Sequence, residues 1–252
     1  MKRRRIAAIL IMIVAIAMVA FAGTRLYETA RVYQEGNAAY DSLRDQVKGS
    51  GGADSVETRE PLVHIPPLGI NFDALKQINE DTVAWLYCPD TEIDYPVMKA
   101  EDYSYYLSHL PDGAYNANGT LFIDYNNAPD FSEKLTVVYG HHMRSGKMFG
   151  SLVGYKEQVY YDEHPFMYLY TQKGNYRIDL IYGCVTGAGE WRERAFMYEE
   201  NIEELVSYAA YNTTFKSDVQ YKAGDRVVAM STCSYEFDNA RYVVLGILQP
   251  EY

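Results

Sequence analysis

Cysteine is scarce in this chain, three in 252 residues. That excludes a disulfide-stapled scaffold. Basic charge is scarce as well: 23 Lys and Arg face 34 Asp and Glu, for a net charge of −11. A nucleic-acid binder needs a cationic footprint, so no nucleic-acid partner is expected. Neither H-E-x-x-H nor C-x-x-C occurs. A zinc site would have to draw on His141, His142 and His109 or His164, yet neighbouring side chains point opposite ways on an extended chain. No metal is expected. The run Asp124 to Asn127 with Asp130 lacks the Gly and terminal Glu of a calcium loop. The sequons at Asn118 and Asn212 are too short to carry weight. There is no internal repeat.

Apolar and aromatic residues are plentiful. The chain is 48% hydrophobic and 14% aromatic, with 25 Tyr, and only 23% charged. This is a folding composition, enough for one large domain or two small ones. The tyrosines suit half-buried strands, where the ring packs and the hydroxyl reaches water.

The charge is unevenly placed. Residues 1–25 hold Lys2, Arg3, Arg4, Arg5 and Arg25 and no acid, which leaves a body of net charge −16. Ile6 to Ala22 is a run of 17 residues without a polar side chain. As a helix it spans about 25 Å, near the lower limit for a bilayer. The basic cluster before it places the N-terminus in the cytoplasm and the body outside. Ala20-Phe21-Ala22 before Gly23 has the small-x-small form of a cleavage site, but the run exceeds a typical signal core, which favours an uncleaved anchor. Both readings export the body. The domain plan is a cytoplasmic tail 1–5, a transmembrane anchor 6–23, a helical extension and linker 24–69, and a catalytic domain 70–252. Within the extension, Leu26, Tyr27, Ala30, Tyr33, Ala38 and Leu43 fall near one helical face. Gly49 to Ser55 reads as a flexible break, prolonged by Pro61, Pro66 and Pro67.

A short helix is expected around Asn71–Ile78, and then the pattern turns to strands. Candidates are Thr82–Cys88, Glu92–Lys99, Thr120–Tyr125, Leu135–Tyr139, Met167–Thr171, Tyr176–Thr186, Arg226–Thr232 and Arg241–Leu248, rich in Val, Ile, Tyr, Phe and Thr. Eight strands in some 170 residues suggest a barrel or sandwich, a mainly β fold. Helices are expected at Asp102–His109, Met148–Tyr155 and Glu199–Tyr211, the last acidic at its start and lying between the sixth and seventh strands.

Three residue types mark candidate chemistry. Cys233 closes a strand and opens the polar loop Ser234–Asn239, a position from which a thiol can face a cleft. Cys88 and Cys184 read as small buried hydrophobes. His141 and His142 follow a strand and Gly140, where an imidazole can act as acid or base. Arg241 opens the last strand eight residues after Cys233. If the interval is a loop between antiparallel neighbours, its cation lies near the thiol and can stabilise a thiolate or an oxyanion.

Taken in order, Thr136-Val137-Val138-Tyr139-Gly140-His141-His142, then Ser231-Thr232-Cys233, then Arg241, resemble the sortases, the cysteine transpeptidases of the Gram-positive cell surface. Trp85 to Val97, with Asp94-Tyr95-Pro96-Val97, resembles the family's early strand pair, and Asp102–Leu107 with His109 its next segment. The resemblance covers about residues 70–250. Ala229-Met230 departs from the Thr-Leu found there in many members. The helix between strands six and seven and the helical N-terminal extension resemble class B. No Asp-Pro-aromatic lid and no C-terminal apolar segment of the pilus-building class C stand in the sequence.

The resemblance implies an eight-stranded closed or nearly closed β-barrel, with the site at one end where strands four, seven and eight meet. It implies that Cys233 attacks after a Thr in a C-terminal sorting signal, that His141 is the acid and base because it directly follows Gly, with His142 the alternative, and that Arg241 stabilises the oxyanion or the substrate backbone. Implied partners are secreted proteins bearing an NPxTG-like signal, a peptidoglycan precursor amine, and the membrane through the N-terminal helix. No cofactor is implied. A pilin polymerase or cysteine hydrolase on the same fold is the alternative, and an anchored binding module without chemistry the third reading.

Overall fold

The structure, a computed structural model, describes residues 2–49, 68–99, 101–189, 191 and 201–251. The linker residues 50–67, with the three expected prolines, lie outside the described residues, as does Glu199.

Helix α1 runs unbroken from Lys2 to Val47. Its stretch from Ile9 is apolar enough to cross a membrane, with mean hydropathy 2.3, and that window is not buried. The far half docks on the body, and of the residues expected near one helical face only Leu43 is buried there. Leu26, Tyr27 and Ala38 are exposed, whereas Gly36, Tyr40, Leu43 and Val47 are buried. The choice of face follows from polar fit. Gly36 is needed because a Cβ there would lie 2.4 Å from Asn118 Nδ2. Asn116 Nδ2 donates to Val32 O at 2.9 Å and Asn118 Nδ2 to Asn37 Oδ1 at 3.2 Å. The Tyr40 hydroxyl donates to Gly119 O.

At the end of α1, Asp94 gathers charge. Its Oδ1 accepts from the fully buried Trp85 indole at 2.8 Å, and its carboxylate pairs with Arg44 at 3.2 Å and with Lys48. Lys48–Gly49 pairs with Gly69–Ile70. Asn71 then caps α2, Phe72–Ile78, through its side chain to Ala74 N at 3.0 Å.

The body is a closed barrel of eight strands, as expected. They are β1 (Thr82–Tyr87), β2 (Asp94–Lys99), β3 (Leu121–Ile123), β4 (Leu135–Tyr139), β5 (Phe166–Thr171), β6 (Gly174–Gly187), β7 (Val227–Cys233) and β8 (Ala240–Glu251). The order around the barrel is β8-β6-β5-β1-β2-β3-β4-β7, closing β7 on β8. β2–β3 and β4–β7 are parallel; the other pairs are antiparallel.

Two of the expected helices differ. At Asp102–His109 only the 3-10 turn Tyr105–Leu107 forms; Asp102 Oδ1 caps its start on the Ser104 and Tyr105 amides, and the carbonyls that would continue a helix are taken by distant donors, Tyr106 O by Thr120 N at 2.8 Å and Leu107 O by the His141 ring. At Met148–Tyr155 the helix starts later, as a 3-10 segment Gly150–Lys156 followed by α3, Gln158–Glu163, since Met148 is left-handed at φ 54°. The helix before β7 is α4, Ile202–Asn212.

α4 explains the near-continuous apolar runs of β4, β7 and β8. Val228, Met230 and Val244 face the barrel interior, while Val227, Ala229, Val243 and Leu245 form an outer cluster with Leu205 and Ala209 of α4. Strands covered on both faces lose the usual polar alternation.

Asp94 is the joint between α1 and the barrel. Asp94→Ala would strand the Trp85 N–H and the Lys48 ammonium, while Arg44 keeps its pair with Asp41, at an expected cost of about 3 kcal/mol. Asp94→Asn keeps an acceptor for Trp85 and is expected to cost less. Urea denaturation followed by circular dichroism measures both, and a midpoint unchanged in Asp94→Ala would contradict the assignment.

Candidate active site

The parallel pairing of β4 and β7 sends both strand ends out on the same edge. Beyond Tyr139, which pairs with Ser231, the ladder continues through Gly140 N to Ser231 O at 3.2 Å. Thr232 Oγ1 donates back to Gly140 O at 2.8 Å. Gly140 must be glycine: a Cβ would sit 2.4 Å from Leu121 Cδ2 and 2.7 Å from Phe149 Cδ2. The Gly before the histidine pair and the Thr before the cysteine are thus two halves of one joint.

Arg241 stands directly opposite Cys233 in the β7–β8 ladder. Opposed residues project to the same face, with Cβ atoms about 5 Å apart. By strand alternation that face is the barrel's outer one, the face of Val227, Ala229 and Val243. Arg241 donates from Nη1 to the Ala240 carbonyl at 2.9 Å, which orients the guanidinium and leaves its other N–H groups for a ligand.

Cys233, Arg241 and His141, all half-buried, line one cavity of about 250 Å³. Tyr103, Leu107, Phe122, Tyr139 and Trp191 complete its apolar walls. Two polar atoms there, Ser231 Oγ and Trp191 Nε1, are buried with no hydrogen-bond partner among the described residues. The sequence offered no sign of Trp191 as a lining residue. Leu107 falls within the expected Asp102–Leu107 segment, but nothing in the chain marks it as facing the histidine.

The two histidines are differentiated by their partners. His141 Nε2 lies 2.7 Å from Leu107 O. A carbonyl only accepts, so Nε2 carries the hydrogen and Nδ1 is left to exchange a proton. His142 Nδ1 lies 2.8 Å from the Cys233 carbonyl and donates to it, and its ring packs on Tyr235 at 5.1 Å. His142 therefore holds the end of the strand that carries Cys233. His109 and His164 do not line this cavity, and no cluster of metal-ligating side chains occurs among the described residues.

The loop after Cys233 is pinned from behind. Lys156 Nζ donates to Ser234 Oγ at 3.0 Å, pairs with Glu236, and sits 5.2 Å above the Tyr242 ring. Ser234 Oγ also donates to Glu236. Burial opposes the Glu236 charge, but the hydrogen bonds from Lys156 and Ser234 outweigh it and hold the carboxyl at about 2. One lysine thus secures the residues that follow both Cys233 and Arg241.

The other thiols are of a different kind. Cys88 and Cys184 are fully buried. Burial pushes Cys184 up to about 12 and raises Cys88 as well, partly offset by the Tyr155 hydroxyl.

No family model matches the chain. Sortase B of Listeria monocytogenes is 32% identical over 178 residues, 69% of this chain and 72% of that protein. The structure of Clostridium perfringens sortase B superposes with a TM-score of 0.66 at 27% identity, covering 71% of this chain and 99% of that one. A Streptococcus pyogenes class B sortase involved in pilus biogenesis gives 0.64 at 27% identity, covering 72% and 99%.

The three thiols should separate cleanly in an alkylation experiment. A thiol with its pKa raised to about 12 is ionised at roughly one part in 10⁵ at pH 7, and its reactivity rises only as pH climbs toward that value. With iodoacetamide at neutral pH, peptide mapping is expected to find Cys233 modified and Cys88 and Cys184 intact. Equal labelling of all three would refute the distinction.

Proposed function

The chain belongs to the sortase family, in its class B, and on that premise we propose that Cys233, His141 and Arg241 carry out transpeptidation on a sorting signal at the C-terminal end of a secreted protein. The observation that carries this assignment is their convergence on one cavity, with Arg241 directly opposite Cys233.

The Cys233 thiolate attacks the carbonyl carbon of a Thr in an NPxTG-like signal. The thiolate is the nucleophilic form of a cysteine, and Arg241 across the ladder is placed to balance its charge. The carbonyl oxygen gains charge in the tetrahedral intermediate, and the free N–H groups of Arg241 are placed to meet it. The C–N bond breaks as His141 gives its Nδ1 proton to the departing amine, leaving a thioester on Cys233. An amine of a peptidoglycan precursor then attacks the thioester, returns a proton to His141 and expels the thiolate. One amide bond replaces another, so the balance needs no cofactor.

The basic tail and the apolar run of α1 support a single-pass membrane protein with a cytoplasmic N-terminus and an extracellular catalytic domain, spanning residues 70–252. The pilus role of the Streptococcus pyogenes relative supports a second reading, a pilin polymerase, in which the acceptor is a side-chain amine of another pilin. A hydrolase uses water instead.

The test is a peptide-cleavage assay with a quenched NPxTG-type substrate. Cys233→Ala is expected to lose at least ~10³-fold in turnover, and His141→Ala to lose far more than His142→Ala. Full activity in Cys233→Ala would falsify the scheme. Added amine is expected to yield a ligated product; product formed with water alone would identify a hydrolase.

A further inference from the structure

A second cavity, about 540 Å³, opens beside the first. Tyr33 and Asn37 of α1 line it, together with His142, Arg144, Ser145 and Tyr235. His141 is the residue common to both linings among the described residues. We propose that this cavity is the acceptor's site, taking a peptide amine whose carrier bears an anionic group, with Arg144 holding the anion. The inference rests on the transpeptidase reading and names the second substrate's seat.

The chemistry requires such a place. The acyl half of the sorting peptide stays in the first cavity, bonded to Cys233, while the acceptor arrives. Yet the acceptor amine must reach His141 to give up its proton. A separate approach that ends at His141 meets both conditions, and the second cavity is one.

Its charge selects the ligand. Arg144 and Ser145 occupy the corners of a tight turn, closed by Gly146 N to Met143 O at 2.9 Å with Gly146 at φ 83°. Lys147, Lys156, Lys173 and Arg44 are each paired with a carboxylate. Arg144 has no ion pair among the described residues, and no Asp or Glu lines the cavity among them. An unpaired guanidinium in an acidic body is fitted to a carboxylate or phosphate. The absence of a carboxylate also suits the nucleophile. A cationic surrounding disfavours the ammonium form and raises the fraction of neutral amine.

Its position suits a carrier held at the membrane. Tyr33 and Asn37 lie one helical turn apart on α1, about 16 and 22 Å of helical rise beyond Ala22, the last residue of the apolar run. The helix that spans the bilayer in the proposed function therefore forms one wall of the site where a membrane-borne amine arrives.

The experiment uses the full chain in detergent micelles, a quenched NPxTG-type peptide, and two acceptors: triglycine, with its carboxylate, and triglycine amide, without it. Ligated and hydrolysed products are measured against acceptor concentration. Triglycine is expected to half-saturate at about tenfold lower concentration than the amide. Arg144→Gln should raise the triglycine value to that of the amide, and Arg144→Lys should restore part of the difference. Competition by inorganic pyrophosphate, lost in Arg144→Gln, would assign the anion to a phosphate of the carrier; preference for triglycine without such competition would assign it to a peptide carboxylate. Equal half-saturation for both acceptors in wild type and Arg144→Gln, with no pyrophosphate competition, overturns the inference while leaving the transpeptidase standing. Should Arg144→Gln fold poorly, Ser145→Glu, which sets a carboxylate beside Arg144 in the same turn, must still raise the triglycine value, and its failure to do so overturns the inference too. Absence of any thioester on Cys233 overturns the proposed function itself.

Discussion

The site depends on one pairing, the parallel alignment of β4 with β7. Parallel neighbours end on the same edge of a sheet, so the chain leaving β4 and the chain leaving β7 emerge side by side. His142 and Cys233, 91 residues apart, are joined there by a hydrogen bond. An antiparallel pairing would send the two ends to opposite edges. β8 then returns antiparallel from the β7 edge, so its first residues are those nearest the end of β7. Three residues from three strands meet because of strand direction alone, and the side-chain bonds of Thr232 and His142 lock what the topology brings together.

That pairing is costly to isolate and must be supported from both faces. The inner face of β4, β7 and β8 packs into the barrel, and the outer face packs on α4. The site occupies the part of the outer face where the α4 cluster gives way, with Trp191, itself buried, belonging to both that cluster and the cavity wall. A rigid sheet edge with its core on either side is a good base for chemistry, since the reacting groups inherit the order of the core rather than the mobility of a loop.

Much of this was legible in the chain. The strand centres follow from runs of Val, Ile and Tyr, and the order of Gly140-His141, Thr232-Cys233 and Arg241 points to the site before any geometry is known. Other features depend on contacts that no local pattern encodes. Leu26, Tyr27 and Leu43 fall near one helical face, yet of these only Leu43 is buried, because docking is decided by Gly36, which lets Asn116 and Asn118 approach the helix. Asp102 looks like the start of a helix and does cap a turn, yet the turn stops early because Thr120 and His141, far along the chain, take the Tyr106 and Leu107 carbonyls. The resemblance prefers His141 over His142 for its place after Gly140, but their different surroundings come only from the carbonyls of Leu107 and Cys233, which belong to distant segments.

α1 has a consequence for how substrates are found. Forty-six residues of continuous helix form a rod of about 69 Å, fixed to the barrel through Tyr40, Arg44 and Asp94. With its first part embedded as proposed, the rod acts as a mast and the cavities ride at a set altitude above the lipid. Collisions with other membrane-tethered molecules then become a planar search within a thin shell, where the local concentration of a tethered reactant far exceeds its bulk value. Partners whose reactive groups hang at another altitude are filtered out before any side chain is consulted.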